Sequence, residues 1–389
     1  MNTKVYLDNA ATTPVEEEVI NAMVEAMRLN YGNPSSTHSA GQEAKALIEG
    51  VRRNVARYLN VQPGEIIFTS CGTESNNLII KSCVTHLGVE RIISSPLEHK
   101  CVAEAVRDAK VRKGCEVVYL RPDHNGDISL QQLEEALQAS DKKTLVSLMH
   151  ANNEIGNILD IEKVGELCKK YGAYFHSDTV QTIGHLDLDF SKINIDFASC
   201  SAHKFHGPKG AGFAYIRKTS RIKPVILGGA QERELRAGTE NVSGIVGLGK
   251  ALDLCMTNLD RYANHMKEIK SYTAQKLRET IPGIKFNGHS EDSEKSLYTV
   301  LSALLPFKNP LIGLQLDMKG IAISQGSACS SGAAKPSMVM MMILQDDELE
   351  NTTPLRISFS HHTTKADIDY FVEALQEIYQ TSAIEKTNV

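Results

Sequence analysis

Between residues 15 and 250 the chain repeats one pattern, a stripe of apolar residues at helical spacing followed by a short unbroken apolar run. Ala44, Leu47, Ile48, Val51, Val55, Tyr58 and Leu59 form the first clear stripe, and Glu65-Ile-Ile-Phe-Thr69 reads as the strand after it. Further strands are predicted at 91–95, 115–120, 144–149, 173–176, 196–200 and 212–216, with helical patterns at 101–113, 129–138 and 161–171 between them. Strands without polar alternation are buried on both faces, so the pattern predicts a mostly parallel sheet flanked by helices. Ligands of such sheets bind beyond the carboxyl ends of the strands. The segments after Thr69, Ser95, Met149, His176 and Cys200 are therefore expected to converge on one site. Beyond about residue 241 the pattern changes to long helices and an apolar segment at 296–305. The closing helix carries Ile368, Phe371, Val372, Leu375, Ile378 and Tyr379 on one face. We read residues 15–250 as a large α/β domain, and 1–14 with 251–389 as a smaller α+β domain.

The chain's 42 basic and 47 acidic residues leave a net charge of −5, which gives no electrostatic reason to bind nucleic acid or an anionic membrane. No apolar run is long enough to span a bilayer. The opening residues lack the apolar core of a signal peptide, so a cytoplasmic location is expected. Eight cysteines, at 71, 83, 101, 115, 168, 200, 255 and 329, include no Cys-x-x-Cys pair. That scatter reads as reduced thiols, most of them buried, rather than disulfides or a structural zinc site. The run Met338-Val-Met-Met-Met342 is read as core filling.

Polar clusters stand at the predicted strand ends. Thr69-Ser-Cys-Gly-Thr73 leads into a helix, where backbone N–H groups and a hydroxyl suit a phosphate, although Thr73 as a plain helix cap explains the same residues. Asp178, at another strand end, is suited to pairing with a protonated ring nitrogen, or to capping the next element. Lys204, in Ser201-Ala-His203-Lys204, follows an apolar strand, where desolvation lowers an amine pKa and prepares it for a Schiff base. Phosphate cup, ring carboxylate and Schiff-base lysine are together the requirements of pyridoxal 5′-phosphate.

Carrying these clusters, the chain resembles a cysteine desulfurase of the NifS/IscS type, in the class V aminotransferase group of fold type I pyridoxal phosphate enzymes. The resemblance runs through Tyr6-Leu-Asp-Asn-Ala-Ala-Thr-Thr-Pro14, Gly32-Asn-Pro-Ser-Ser36, Thr73-Glu-Ser-Asn76, Glu98-His99-Lys100 and Asn152-Asn153-Glu154-Ile-Gly156. It continues through Asp178 and Gln181, His203-Lys204, Arg236-Ala-Gly-Thr239, Ser327-Ala-Cys329-Ser-Ser and Arg356-Ile-Ser-Phe-Ser360. It implies that Lys204 holds the cofactor and moves the substrate α-proton, and that His99 stacks on the ring and assists proton transfer. It places Asp178 on the ring nitrogen and Gln181 on the ring hydroxyl. Gly72, Thr73, Ser201 and His203 would hold the phosphate, with Thr239 arriving from the second subunit of a homodimer. Asn153 and Arg356 match positions that contact the ring oxygen and the substrate carboxylate. Cys329 matches the nucleophile that takes sulfur from L-cysteine as a persulfide, leaving L-alanine. The implied partner is a sulfur acceptor such as an iron–sulfur scaffold protein, and no metal is implied beyond a transient cluster contact at Cys329.

Ala202 stands where many relatives have glycine, as does Cys71; the methionine run replaces a segment that commonly carries arginine, and the tail after Gln380 is short. Two other motif matches fail. Gly244-Ile-Val-Gly-Leu-Gly249-Lys250 is followed by Ala251, which lacks the hydroxyl of a P-loop, and Ser201-Ala-His-Lys204 has no Lys-Thr-Gly downstream. Rival readings are another class V enzyme, such as a selenocysteine lyase or small-substrate aminotransferase, and a non-catalytic scaffold or metal-binding protein.

Overall fold

The computed structural model describes residues 4–325 and 337–387. Twelve strands are formed among them: β1 (Val5–Tyr6), β2 (Ile66–Thr69), β3 (Arg91–Ser94), β4 (Glu116–Tyr119), β5 (Thr144–Ser147), β6 (Tyr174–Asp178), β7 (Phe197–Ser201), β8 (Gly212–Ile216), β9 (Lys285–Phe286), β10 (Val300–Leu305), β11 (Ile321–Ala322) and β12 (Thr353–Ser358). Seven of them make one sheet in the order β2-β8-β7-β6-β5-β3-β4. Only β8 runs against its neighbours, so β2 and the five other strands share one carboxyl edge.

The predicted apolar runs form strands because alternate residues feed two separate cores. Ile66, Phe68, Ile93, Val146, Phe175, Phe213 and Tyr215 point into a core shared with the helices Ser39–Tyr58, Leu130–Gln138, Ile161–Lys170 and Val242–Thr257. Ile67, Ile92, Leu145, Phe197, Ala214 and Ile216 point the other way, against the helices Gly72–His86 and Lys100–Lys113. The expected α/β architecture, a mostly parallel sheet between helical layers, is the one observed. The predicted strand 212–216 agrees residue for residue. Glu65 instead closes a 3₁₀ turn, its carboxylate accepting from the backbone of Gln62 at 2.9 Å.

A second, three-stranded antiparallel sheet, β12-β10-β9, packs with the helices Leu259–Thr280 and Ile312–Met318 and the closing helix from Lys365 around its own apolar core. The N-terminal segment joins this part: β1 pairs with β11, and Leu7 lies in the same core. The two-domain division remains our proposal. The helix Val242–Thr257 runs across residue 250, and its Leu252 and Cys255 still pack with the large sheet. That helix also absorbs the P-loop-like stretch. A Cβ at Gly247 or Gly249 would meet Met23 or Val51 at 2.7 Å, so these glycines serve close helix packing. The methionine run departs from its reading. In the helix Met338–Ile343 only Met340 of the four methionines is buried, packing with Val339 and Ile343 against Leu97 and Ile155, while Met338, Met341 and Met342 are exposed. One helical turn can face a small core with only part of its circumference. No helix among the described residues is long and apolar enough to cross a membrane.

The start of β2 depends on a buried charge pair. The Arg52 guanidinium donates to both carboxylate oxygens of Glu232 at 2.8 Å and to the Ile66 carbonyl at 2.6 Å, and Glu232 accepts from the Phe68 backbone at 2.7 Å. Removing one partner strands the other charge in the interior, so Arg52→Met is expected to destabilise the protein by about 3–5 kcal/mol. A urea midpoint followed by circular dichroism checks this; an unchanged midpoint would show the pair to be dispensable.

Candidate active site

At the carboxyl edge of the large sheet, Asp178 ends β6 and is buried. One of its oxygens accepts from the Val180 backbone at 3.0 Å and the Ser199 hydroxyl at 3.2 Å, and the other from the Asn76 side chain at 2.8 Å. Asn76 is fixed in turn. Its carbonyl accepts from His176 Nε2 at 3.0 Å, and His176 Nδ1 takes the Ser147 hydroxyl at 2.8 Å. A chain from β5 through β6 to the helix Gly72–His86 thus orients a carboxylate with no ion-pair partner among the described residues. Burial pushes the His176 pKa down to about 4, so its ring is neutral and this tautomer is kept.

Lys204 stands at the end of the 3₁₀ turn that follows β7. Its amine donates to the carbonyls of Ala10 and Ala11 at 2.7 and 2.8 Å, with no carboxylate in ion-pair reach among the described residues. Burial, followed by the nearby Arg356 charge, brings its pKa down to about 8. The turn after it is held in an unusual conformation. His206 has a φ of +65°, its backbone N–H donates to the Thr13 hydroxyl at 2.7 Å, and its ring Nδ1 donates to the Pro14 carbonyl at 2.9 Å. Gln181 donates to the same Ala10 carbonyl at 3.1 Å. His203 meets the Thr12 hydroxyl at 3.2 Å, and burial, then Lys204, lowers its pKa to about 4.

Gly72 opens its helix directly beside Ser201. A Cβ there would lie 2.5 Å from Val180 Cγ2, so this approach of backbone requires glycine. The Ser201 hydroxyl is buried and has no partner. Thr73 is exposed on the first turn; Cys71, not Thr73, is the cap residue, so the capping explanation of Thr73 does not hold. Ala202 turns its methyl into the core against Gly207.

His99 caps the helix Lys100–Lys113, its Nδ1 accepting from the Cys101 backbone at 3.2 Å. The Cys101 sulfur lies 3.0 Å from the same nitrogen and 3.3 Å from Asn76 Nδ2. His99 Nε2 therefore carries the proton. The ring borders the open cleft, yet the protein around it withdraws enough water to lower its pKa; Asp178 opposes that shift and Lys204 adds to it. Beside it, Glu98 accepts from the Met149 backbone at 2.7 Å, and burial raises its pKa well above the ordinary carboxylate range.

From the second sheet, β12 delivers Arg356 to the same cleft. Its guanidinium donates to Asp8 at 2.8 Å, to the Ser324 hydroxyl at 3.1 Å and to the Asn153 carbonyl at 3.2 Å, while its Nε is buried and unpartnered. The expected convergence of strand-end loops is therefore what the structure has. Among the proposed site residues, Gly72, Asn153, Asp178, Gln181, Ser201, His203, Lys204, His99 and Arg356 share this neighbourhood. Thr239 does not join it, being exposed and without a hydrogen bond to these residues. Cys329 lies outside the described residues. The supporting roles of Asn76, His176, Asp8 and Cys101 had no sequence signal beyond membership of quoted motifs, since their partners are distant in the chain.

The chemistry of this set fits pyridoxal phosphate. An orphaned buried hydroxyl faces a helix start where only a glycine fits, an unneutralised carboxylate is fixed by three donors, and a lysine of lowered pKa lies between carbonyls.

The profile of the family described as aminotransferase class-V matches residues 5–371. A cysteine desulfurase IscS from Dictyoglomus turgidum is 39% identical, the match covering 98% of this chain and 95% of the relative. Among solved structures, a NifS-like protein superposes with a TM-score of 0.87 at 38% identity, covering 97% of this chain and 99% of the other. A structure described as SspA in complex with cysteine has a TM-score of 0.79 at 32% identity, covering 93% and 100%.

The Lys204 pKa carries a stability signature. Below about pH 8 the folded chain bears the full cost of a buried ammonium. Between pH 8 and 10.5 the unfolded chain binds more protons than the folded one, so stability rises with pH there. In the cofactor-free protein, Lys204→Met is expected to be more stable by about 1–3 kcal/mol at pH 7, with the gap closing by about pH 10.5. Urea titrations across pH test this; a gap independent of pH would contradict the lowered pKa.

Proposed function

Because this chain belongs to the class V aminotransferase family, among the cysteine desulfurases of the IscS and NifS type, we propose that it removes sulfur from free L-cysteine with pyridoxal 5′-phosphate as cofactor. The observation that carries the reading is the pairing of Lys204, an amine of lowered pKa, with the fixed carboxylate of Asp178 on one sheet edge. When bound, the cofactor supplies an aldehyde that condenses with amines and a ring that takes up electron density.

The residues divide the work. Lys204 would hold the cofactor's aldehyde and, as a free base, would carry the substrate α-proton. Its pKa near 8 leaves an appreciable neutral fraction at physiological pH. Asp178 would keep the cofactor's ring nitrogen protonated. Gly72, Thr73, Ser201 and His203 would receive the phosphate, with Thr239 contributed by the partner copy of a homodimer, and Gln181 and Asn153 would contact ring oxygens. His99, protonated on Nε2, would stack on the ring and pass protons. The planar guanidinium of Arg356 suits the substrate carboxylate, which would take over a position that Asp8 now satisfies. Cys329 attacks the substrate sulfur as thiolate; the carbon–sulfur bond breaks, the carbon skeleton gains protons and leaves as L-alanine, and the sulfur stays as a persulfide. That exchange balances without an external oxidant or reductant. The acceptor we propose is an iron–sulfur scaffold protein, in the cytoplasm.

With L-cysteine and a thiol reductant, the holoenzyme is expected to release sulfide and L-alanine in equal amounts. Lys204→Ala should lose this by at least about a thousandfold, and Arg356→Lys should raise KM about ten- to a hundredfold while affecting kcat less. Alanine without sulfide, or amino-group transfer to an oxoacid at a comparable rate, would overturn the proposal.

A further inference from the structure

We propose that Glu16, His361 and His362 form a binding site for one divalent transition-metal cation of the zinc class, separate from the cofactor cleft. The three residues come from distant parts of the chain. Glu16 immediately precedes the helix Glu17–Leu29, and its backbone N–H donates to the His206 carbonyl at 3.2 Å. His361 and His362 lie in the turn between β12 and the closing helix. That turn is pinned by Ser360 and Thr363, the Ser360 backbone donating to the Thr363 hydroxyl at 3.0 Å and the His362 backbone to the Ser360 hydroxyl at 3.3 Å.

The donor atoms already face one point. His361 Nε2 and His362 Nε2 lie 3.0 and 2.8 Å from the same oxygen of Glu16, Oε1. Two imidazoles and a carboxylate, with remaining positions left for water, are a ligand set typical of zinc and its neighbours. Metal–ligand bonds of about 2.0–2.2 Å place tetrahedral donors roughly 3.3 Å apart, so the two imidazole-to-carboxylate distances need to open by only a few tenths of an ångström, and all the donor atoms lie within 4.8 Å of one another.

The walls hold these donors in place. The His361 ring stacks on Tyr262 with centroids 3.8 Å apart and planes 7° from parallel, and His206 packs edge-on at 4.6 Å. His206 is a wall rather than a ligand, because its Nδ1 proton goes to the Pro14 carbonyl. Arg261 lies over Tyr262, the other partner of the stack, at 5.1 Å from its ring centroid, and Glu16 supplies a negative charge. Each Nε2 now faces a carboxylate oxygen and so carries its ring's N–H, a proton that shifts to Nδ1 or leaves when a cation takes its place. The side chains of Glu16 and His361 are 16% and 12% exposed and that of His362 is 56% exposed, which gives the cation an entrance on one side.

The position gives the cation a role. His361 lies five residues beyond Arg356, Glu16 two beyond Pro14, and the adjoining His206 two beyond Lys204. A bound ion would clip together the segments that carry the carboxylate-binding arginine, the Lys204 turn and the strap over the Lys204 amine. This site stands independently of the sulfur chemistry.

The test is titration of the tag-free holoenzyme with cobalt(II), followed by optical spectroscopy and equilibrium dialysis. We expect one cobalt per chain with visible ligand-field bands and no thiolate charge-transfer band, displaced by one equivalent of zinc. His361→Ala and His362→Ala should each weaken that binding at least tenfold, and the double variant should lose it. If His361→Ala fails to fold without its stack on Tyr262, the exposed His362→Ala carries the test alone. Absence of a stoichiometric, thiolate-free cobalt signal in the wild type, or unchanged binding in His362→Ala, would overturn the site and leave an ordinary pair of imidazole–carboxylate hydrogen bonds.

Discussion

Burying the Lys204 amine with no ion-pair partner among the described residues is the constraint on which the rest of the site depends. Desolvation of a primary amine costs less when it is neutral, and the structure satisfies its donors with two carbonyls, those of Ala10 and Ala11, rather than with a carboxylate. Those carbonyls belong to a segment anchored elsewhere. Asn9 donates to the Ser358 carbonyl at 2.9 Å, the Ala10 backbone to the Ser358 hydroxyl at 2.9 Å, and the Thr13 backbone to the His203 carbonyl at 2.9 Å. The N-terminal segment therefore spans from the small sheet to the large one and fixes the amine between them.

The same segment explains how Arg356 and Lys204, two cations, coexist near one cleft. Asp8 takes the guanidinium, and the carbonyls two and three residues later take the amine. The Arg356 charge is among the causes that lower the Lys204 pKa. A substrate carboxylate arriving at Arg356 would reduce that positive field. The carboxylate of Asp178 is treated oppositely, with three donors fixing its oxygens and Asn76 tying it to His176. Acid and base functions are thus separated by local solvation and hydrogen bonding on one sheet edge.

Much of this was readable before any coordinates. The large sheet was legible because both of its faces are buried, so each strand is an apolar run bounded by polar strand ends. Lys204, Asp178 and Gly72 were legible because a residue's chemistry and its place at a strand end are both local properties. What stayed hidden was pairwise and long-range. Nothing in the sequence ties Asn76 to His176, or Asp8 to Arg356, since the partners stand 100 and 348 positions apart. The exposure of Met338, Met341 and Met342 was misread because composition does not say how much of a single helical turn a small core can cover. Glu16, His361 and His362 escaped for a related reason: a search for paired ligand spacing finds metal sites built locally, not one assembled across 345 residues.

The central claim is that sulfur leaves L-cysteine by way of Cys329 after Lys204 has engaged the substrate. Intact-mass analysis and peptide mapping after brief exposure of the holoenzyme to L-cysteine, without reductant, addresses it most directly. One added sulfur on the Cys329 peptide, removed by dithiothreitol and absent from Cys329→Ala, is the predicted result. A cofactor-loaded protein that consumes L-cysteine with no sulfur added at Cys329 would contradict it.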